Sequence, residues 1–275
     1  MAKTRKNLPG KTRKAAKTLA GVTLGTLAAA TAKKTPARSL TTAQKTEVKR
    51  LVKSNEETKY AAVQIQNDVV IPYDSTTAPV GMIVPVAQGP TSNRREGNQI
   101  SPTTMRTIFH FDFAAGFSSS VDVTIALYIL THKTFKSMAA VLADPNVSKV
   151  WDDGAGLAAV AWDPTFPLVS EMKRVDPTVL TLLKKKQFRL IRNVGTDNSD
   201  VTPGNAPNVK QGMAKFVYMH KKLPKFKYDG TAQNLPSNYA PYFYAICYRT
   251  DGTPMADRTL CPNMTVRSEL YYKDS

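Results

Sequence analysis

Along the body of this sequence, short runs in which apolar side chains tend to recur at every second position are interrupted by turn residues. TTMRTIFHFDF (Thr103–Phe113) and VDVTIALYILT (Val121–Thr131) are the clearest cases. A period of two sends neighbouring side chains to opposite sides of an extended backbone, so each run buries one face and needs a second layer to bury it against. Eight such runs are legible: Lys59–Pro72, Val80–Val86, Thr103–Phe113, Val121–Thr131, Gln187–Val194, Met213–Lys221, Tyr242–Arg249 and Thr265–Lys273. Turn-rich clusters at 74–77, 116–120, 195–207 and 229–238 separate them. No unit of about 20–50 residues repeats, which argues against propellers and solenoids.

The pattern predicts an all-β chain, a sandwich of two antiparallel sheets, with the eight-stranded jelly roll as its commonest form. A lipocalin-like barrel would have shorter and more even connections. With 275 residues, 42% of them hydrophobic, the chain has material for one sizeable core. Short loop helices are predicted at Phe135–Leu142 and Val175–Lys185. A further helix is expected over 39–57, SLTTAQKTEVKRLVKSNEE, where a Thr cap precedes Gln44 and Glu47, and Val48, Leu51 and Val52 form a one-sided stripe.

The first 38 residues break the pattern. They hold Lys3, Arg5, Lys6, Lys11, Arg13, Lys14, Lys17, Lys33, Lys34 and Arg38, with no Asp or Glu. Those ten supply more than half of the net charge of +17, because the other 28 Lys and Arg face 21 Asp and Glu. An acid-free cationic block repels itself, stays extended and serves as a tail for polyanions. The chain therefore divides into a basic arm, 1–38, and a single β domain, 39–275, into which the helix of 39–57 leads.

Inside the arm, TLAGVTLGTLAAATA (Thr18–Ala32) has three competing readings. A membrane span needs ~20 mostly apolar residues. This stretch is shorter and rich in Ala, Gly and Thr, so no membrane insertion is expected. A secretory signal would use Ala30-Thr31-Ala32 as its A-x-A site. Against that, the preceding stretch is long, strongly basic and carries Pro9-Gly10, and the apolar part has only three Leu and one Val. The third reading, a spacer or short amphipathic segment within a nucleic-acid-binding arm, suits the charges on both sides.

Catalytic chemistry has little to rest on, and no enzyme is expected. GxSxG, GxGxxG after a strand and the P-loop are all missing. His110, His132 and His220 fall in separate strand stretches without HExxH, H-x-E or CxxC spacing, so neither metal ligation nor base catalysis is indicated. Two cysteines, Cys247 and Cys261, are too few for a zinc site or a disulfide framework and read as buried thiols, which their positions can bring close together. Asp152-Asp153 and Asp197 with Asp200 are oxygen-rich turns of a kind that can bind Ca²⁺, including at subunit contacts. Solvated turn residues explain them equally well, and no cofactor is expected.

Three basic clusters lie in the body. Arg94-Arg95 run into Glu96 and Gly97 and suggest an ion-paired loop at least as strongly as a phosphate site. Lys184-Lys185-Lys186 lead to Arg189 and Arg192. KKLPKFKY holds Lys221, Lys222, Lys225 and Lys227, interleaved with Phe226 and Tyr228. Lysines beside aromatics combine phosphate neutralisation with base stacking in single-strand binders; the plain alternative is a solvated strand end.

The run QGPTSNRREGNQISPTTMRT, 88–107, resembles Q-G-x-x-x-x-x-R-x-G-x-x-I-x-P-x-x-x-R in capsid proteins of small circular single-stranded DNA viruses that encode a replication-initiator protein (CRESS-DNA viruses). Gln88, Gly89, Arg95, Gly97, Ile100, Pro102 and Arg106 occupy its positions. The basic arm, ETKYA, KKLPKFKYDG, NYAPYFYAICYRTDG and ELYYKDS follow in the same order as in that family, so the resemblance spans most of 40–275. It implies a jelly roll that self-assembles into an icosahedral shell, in about sixty copies or more. It also implies an arm that packages single-stranded DNA, with Lys221, Lys222, Lys225 and Lys227 as secondary contacts. Localisation would be the virion, with the host nucleus during assembly, where the same Lys/Arg clusters would serve import. Coat proteins of small icosahedral RNA viruses share this architecture. A cellular single-strand-binding module and a secreted enzyme or lectin are the other readings the residues leave open.

Overall fold

The computed structural model describes residues 41–55, 57–74, 78–91, 93–113, 121–154, 159–193, 210–255 and 257–274. Contacts divide the chain into two units, Met1–Asn55 and Glu56–Ser275. In the first, helix α1 (Thr42–Asn55) starts where expected. The Gln44 amide N–H donates to Thr41 Oγ1, and the Thr41 N–H donates to Gln44 Oε1 at 3.0 Å. This reciprocal pair satisfies donors that the first helical turn leaves without partners.

The second unit is built of strands. They are β1 (Lys59–Val70), β2 (Val80–Gly81), β3 (Gln99–Asp112), β4 (Val121–His132), β5 (Leu180–Asn193), β6 (Lys210–Gln211), β7 (Ala214–Met219), β8 (Phe226–Lys227), β9 (Pro241–Arg249) and β10 (Asn263–Asp274). Two short helices, α2 (Met138–Leu142) and α3 (Pro167–Met172), lie between β4 and β5. Strands far outweigh helices among the described residues, so the fold is all-β. One sheet has the order β1-β10-β3-β7, with β8 beside the start of β3. The other has the order β2-β9-β4-β5-β6. Every strand pair is antiparallel.

Alternation accounts for this architecture. Along β3, Met105, Thr107, Phe109 and Phe111 turn inward and are fully buried, while Arg106, Ile108 and His110 turn outward. Facing them across the sandwich, β4 and β9 contribute Ile125, Leu127, Ile129, Phe243 and Ala245 to the same core. Phe109 meets Phe243 edge-on at 5.1 Å between ring centres, and Phe111 meets Phe188 of β5 at 5.1 Å. Each such side chain contributes roughly 1.5–3 kcal/mol on burial.

The outer faces of the two sheets differ. On the second sheet, Ala126, Tyr128 and Leu130 of β4 and Tyr242, Tyr244, Ile246 and Tyr248 of β9 form a second cluster with Val141, Val150, Trp151 and Trp162. The long β4–β5 connection thus roofs that face with its own tryptophans. The outer face of the first sheet carries no such roof among the described residues.

Every expected run lies on an observed strand, with three differences. The helix expected at Val175–Lys185 is replaced by the start of β5 at Leu180. All residues of β4 from Val121 to His132 take partners in β5, and a register shift between Ile129 and Leu130 breaks the simple alternation there. The Val80–Val86 run pairs only at Val80 and Gly81. Met82, Ile83, Val84 and Val86 stay buried beyond the ladder, with the Met82 N–H donating to the Pro241 carbonyl at the start of β9 and the Val86 N–H to that of Asn234. Finally, α3 was not anticipated; Pro167 begins it, a position where its missing N–H has no partner to lose.

Candidate nucleic-acid interface

The arm cations, from Lys3 to Arg38, lie outside the described residues, as does the apolar stretch 18–34. What the body offers a polyanion can be traced residue by residue.

KKLPKFKY follows β7 and turns back along the first sheet. Lys222 takes a left-handed backbone, with φ of 55°. Phe226 and Lys227 then pair with Ile100 and Gln99 as β8. Alternation sends Phe226 and Tyr228 inward, where both are buried, and leaves Lys221, Lys222, Lys225 and Lys227 exposed. Phe226 stacks on Tyr239, and Tyr228 lies under the Arg95 guanidinium at 4.1 Å. The aromatic rings therefore present no face to a base, which removes stacking from this segment. Four lysines remain, and none forms an ion pair among the described residues.

The backbone beneath them is held by the 233–238 loop. Asn238 Nδ2 donates to the Lys225 carbonyl at 2.7 Å, and its Oδ1 accepts from the Lys227 N–H at 2.9 Å.

Arg95, the centre of the 88–107 run, is fully buried with no carboxylate against it. Its Nε donates to the Val86 carbonyl and its terminal nitrogens to the Gly97, Gly230 and Gln233 carbonyls and to Asn98 Oδ1. Five oxygens thus satisfy the five donors of one guanidinium, which ties the 86–98 loop to the 230–233 loop. The ion pair foreseen for this loop belongs instead to Lys59, whose ammonium meets Glu96 at 3.0 Å and also Asp274. Gln88 supports the same turn by donating to the Glu96 carbonyl. The residues that carry the family resemblance thus serve packing and backbone satisfaction. Arg106 is the exception, being partly exposed in the sheet.

The Lys184–Arg192 cluster divides. Lys185 pairs with Glu171 and lies 5.3 Å from the centre of the Tyr128 ring. Arg189 forks onto Asp122, whose carboxyl it holds below the usual carboxylate range. Arg192 is buried, and desolvation pulls its pKa down. Only Lys184 and Lys186 stand exposed without a carboxylate.

The histidines share no site. His220, one residue past β7, is buried; its Nε2 lies 3.0 Å from Thr107 Oγ1, which lies 2.8 Å from Ser268 Oγ. Burial pushes its pKa down to about 3. His132 Nδ1 accepts from the Thr134 and Phe135 N–H groups and holds the turn after β4; burial lowers its pKa as well. His110 stands outward, 3.6 Å from Asp112. Cys247 and Cys261 are free and buried, and burial drives the Cys247 thiol far up. Asp152 Oδ1 caps the Gly154 N–H in a tight turn. Asp197 and Asp200 lie outside the described residues, and no group of three metal-ligating side chains occurs among the described ones.

Sheet register also gathers a group that linear reading overlooks. Arg106 of β3 and Arg267 of β10 share Glu269, at 2.6 and 3.2 Å. Arg267 also donates to the Tyr60 hydroxyl at 3.3 Å, and the Tyr60 ring lies 5.0 Å from that of Tyr271. The only linear signal was the outward half of each alternation. Comparison with protein-family models and with curated proteins finds no match to this chain.

Proposed function

We propose that this chain is the subunit of an icosahedral capsid, a jelly roll that tiles the shell and packages a single-stranded genome, DNA by the resemblance, through residues 1–38. The observation that carries this reading is the strand order. The seven long strands fall into β1-β10-β3-β7 and β9-β4-β5; the two-residue β2 beside β9 brings the second sheet to β2-β9-β4-β5, with β6 and β8 as short additions at the edges. Two interleaved Greek keys produce that order, and capsid and lectin domains use it. The acid-free arm favours the capsid. Each arm Lys or Arg that meets a phosphate releases a counterion, so packaging would be strong, sequence-independent and salt-sensitive. About sixty copies would bring about 600 arm charges to the interior.

Exposed apolar residues add support. On and before α3, Phe166, Val169 and Met172 are 60%, 56% and 81% exposed. A monomer seldom leaves neighbouring large apolar side chains open to water, whereas a shell contact would cover them.

The test is sedimentation of the full-length protein at moderate salt, with absorbance followed at 260 and 280 nm across the boundary. A fast, homogeneous boundary rich in 260 nm absorbance is expected. Replacing Lys3, Arg5, Lys6, Lys11, Arg13 and Lys14 with Gln strips the 260 nm excess and leaves the unfolding temperature unchanged. A slow species with a plain protein spectrum overturns the reading and returns 18–34 to the signal-peptide alternative. A small oligomer that binds oligonucleotide points to the cellular single-strand binder.

A further inference from the structure

We propose that the open outer face of the first sheet is a second contact surface for single-stranded nucleic acid, with Tyr60 and Tyr271 as base platforms and Arg106, Arg267 and Lys215 as phosphate partners. This inference rests on the packaging reading and extends it from the arm to the folded domain.

Strand register sets out the face in rows. Tyr60, Tyr271 and Thr104 lie side by side across β1, β10 and β3; Ala62, Glu269, Arg106 and Met219 form the next row. Then come Gln64, Arg267, Ile108 and Val217, followed by Thr265, His110 and Lys215. With strands about 4.8 Å apart, the face is roughly 14 Å wide from β1 to β7.

Its charge is unbalanced. In these rows three cations face a single carboxylate, Glu269, which is 8% exposed and set between two guanidiniums. Arg106 and Arg267 keep side-chain exposures of 43% and 55%, and Arg106 spends only Nε on Glu269. Its terminal N–H groups are left for an oxygen acceptor on the solvent side, a geometry that suits phosphate. Asp112 lies beyond the last row, beside His110, and Lys227 extends the positive charge at the opposite end, across from Gln99. Lys215 and Lys227 are exposed. Tyr60 is 39% exposed and steadied by Arg267 and Tyr271, so its ring is held in place without being buried. An open sheet with half-exposed aromatics and arginines is the physical arrangement by which single strands are stacked and neutralised together.

Connectivity selects this occupant over others. Residues 1–58 enter the β domain at Lys59, so the chain that carries the arm cations is joined to the strand that carries Tyr60. A strand that both the arm and this face bind therefore gains from their being linked in one chain. The second sheet offers no equivalent surface, because the β4–β5 connection covers it.

The experiment uses the full-length chain with a fluorescent thirty-nucleotide oligo(dT), ultraviolet cross-linking and mass-spectrometric mapping, alongside a salt titration of affinity. Cross-links are expected at Tyr60 or Tyr271 as well as in the arm. The variant Tyr60→Leu/Lys215→Gln/Lys227→Gln leaves Glu269 and both its arginines in place. It loses the cross-link at Tyr60, weakens that at Tyr271 and lowers the slope of log affinity against log salt by about 1.4, the loss expected for two phosphate contacts on a single strand. Cross-links confined to the arm, with an unchanged slope, overturn this proposal and leave packaging intact. Links between Lys215 of neighbouring chains in a parallel sample treated with an amine-reactive bifunctional cross-linker overturn it too and make the face a contact between copies. Absence of oligonucleotide binding at every salt concentration sinks the packaging reading itself.

Discussion

Replacing His220 with Gln should remove a specific acid sensitivity from the β domain. His220 is neutral in the folded chain because its ring is buried, with Nε2 on Thr107 and no carboxylate beside it; burial lowers its pKa from 6.5 to about 3. In the unfolded chain the imidazole regains the ordinary value near 6.5. As pH falls below 6.5, the unfolded state therefore takes up a proton that the native state refuses until about pH 3. The stability from this group is fully present above 6.5 and is lost progressively between 6.5 and 3. At pH 4.5 the gap spans about two units, or about 2–3 kcal/mol. For a unit of this size that is a fall of about 5–10 °C in unfolding temperature. His132 and the carboxylates also respond to acid, but they do so equally in both proteins, so the informative quantity is the difference between wild type and H220Q. Gln is the direct comparison because it keeps a polar group at the site and does not titrate. Thermal unfolding from pH 7 to 4.5 at fixed salt should show that difference moving in favour of the variant by that amount. A difference that stays constant with pH would falsify the claim that His220 is held neutral in the core.

Three further outcomes follow from the packing. Arg95→Ala leaves the Val86, Gly97, Gly230 and Gln233 carbonyls without their donor and opens a cavity beside Tyr228, so urea unfolding should show a loss of more than about 3 kcal/mol; Arg95→Lys should recover only part of it, because one ammonium cannot span five acceptors. Phe166→Ser/Met172→Ser should abolish fast-sedimenting particles and shift the unfolding temperature by no more than about 2 °C, since both side chains are already exposed in the free chain; a large stability loss would mean that these two side chains pack against their own domain. Cys247 and Cys261 should resist a thiol-specific chromophoric reagent in native buffer and react together only in denaturant, and rapid native labelling of either would refute their burial.

The strands were legible because burial against a second layer is written into the residues locally. Phe109 and Phe111 are separated by an outward His110, and any half-buried strand must show that spacing. The start of β5 was not legible for the complementary reason: Leu180 belongs to a strand because β4 continues to His132, a fact held 48 residues away. The same limit governs KKLPKFKY. Alternating Lys and aromatics describe equally an open stacking surface and a short strand with its rings turned inward, and only the pairing of Phe226 with Ile100 decides between them. Arg95 was visible as part of a motif, yet its five oxygen partners come from two loops, the second reached at Gly230, 135 positions further along.

Function divides along the same line. A tail that neutralises phosphates acts through composition, so Lys3 to Arg38 can be singled out without any geometry. A surface that positions bases acts through register. Arg106 and Glu269 are 163 residues apart in sequence, and Tyr60 and Arg267 are 207 apart. No linear pattern joins them until β10 is laid between β1 and β3. If both surfaces bind the same strand, they should also respond differently to perturbation. Loss of arm charge should weaken binding in proportion to the number of cations removed, wherever in the arm they lie. On the sheet, Arg106→Lys keeps the charge but gives up the fork, so it should disturb binding far more than an arm Arg13→Lys. Equal effects of those two substitutions would mean that the sheet contributes charge alone.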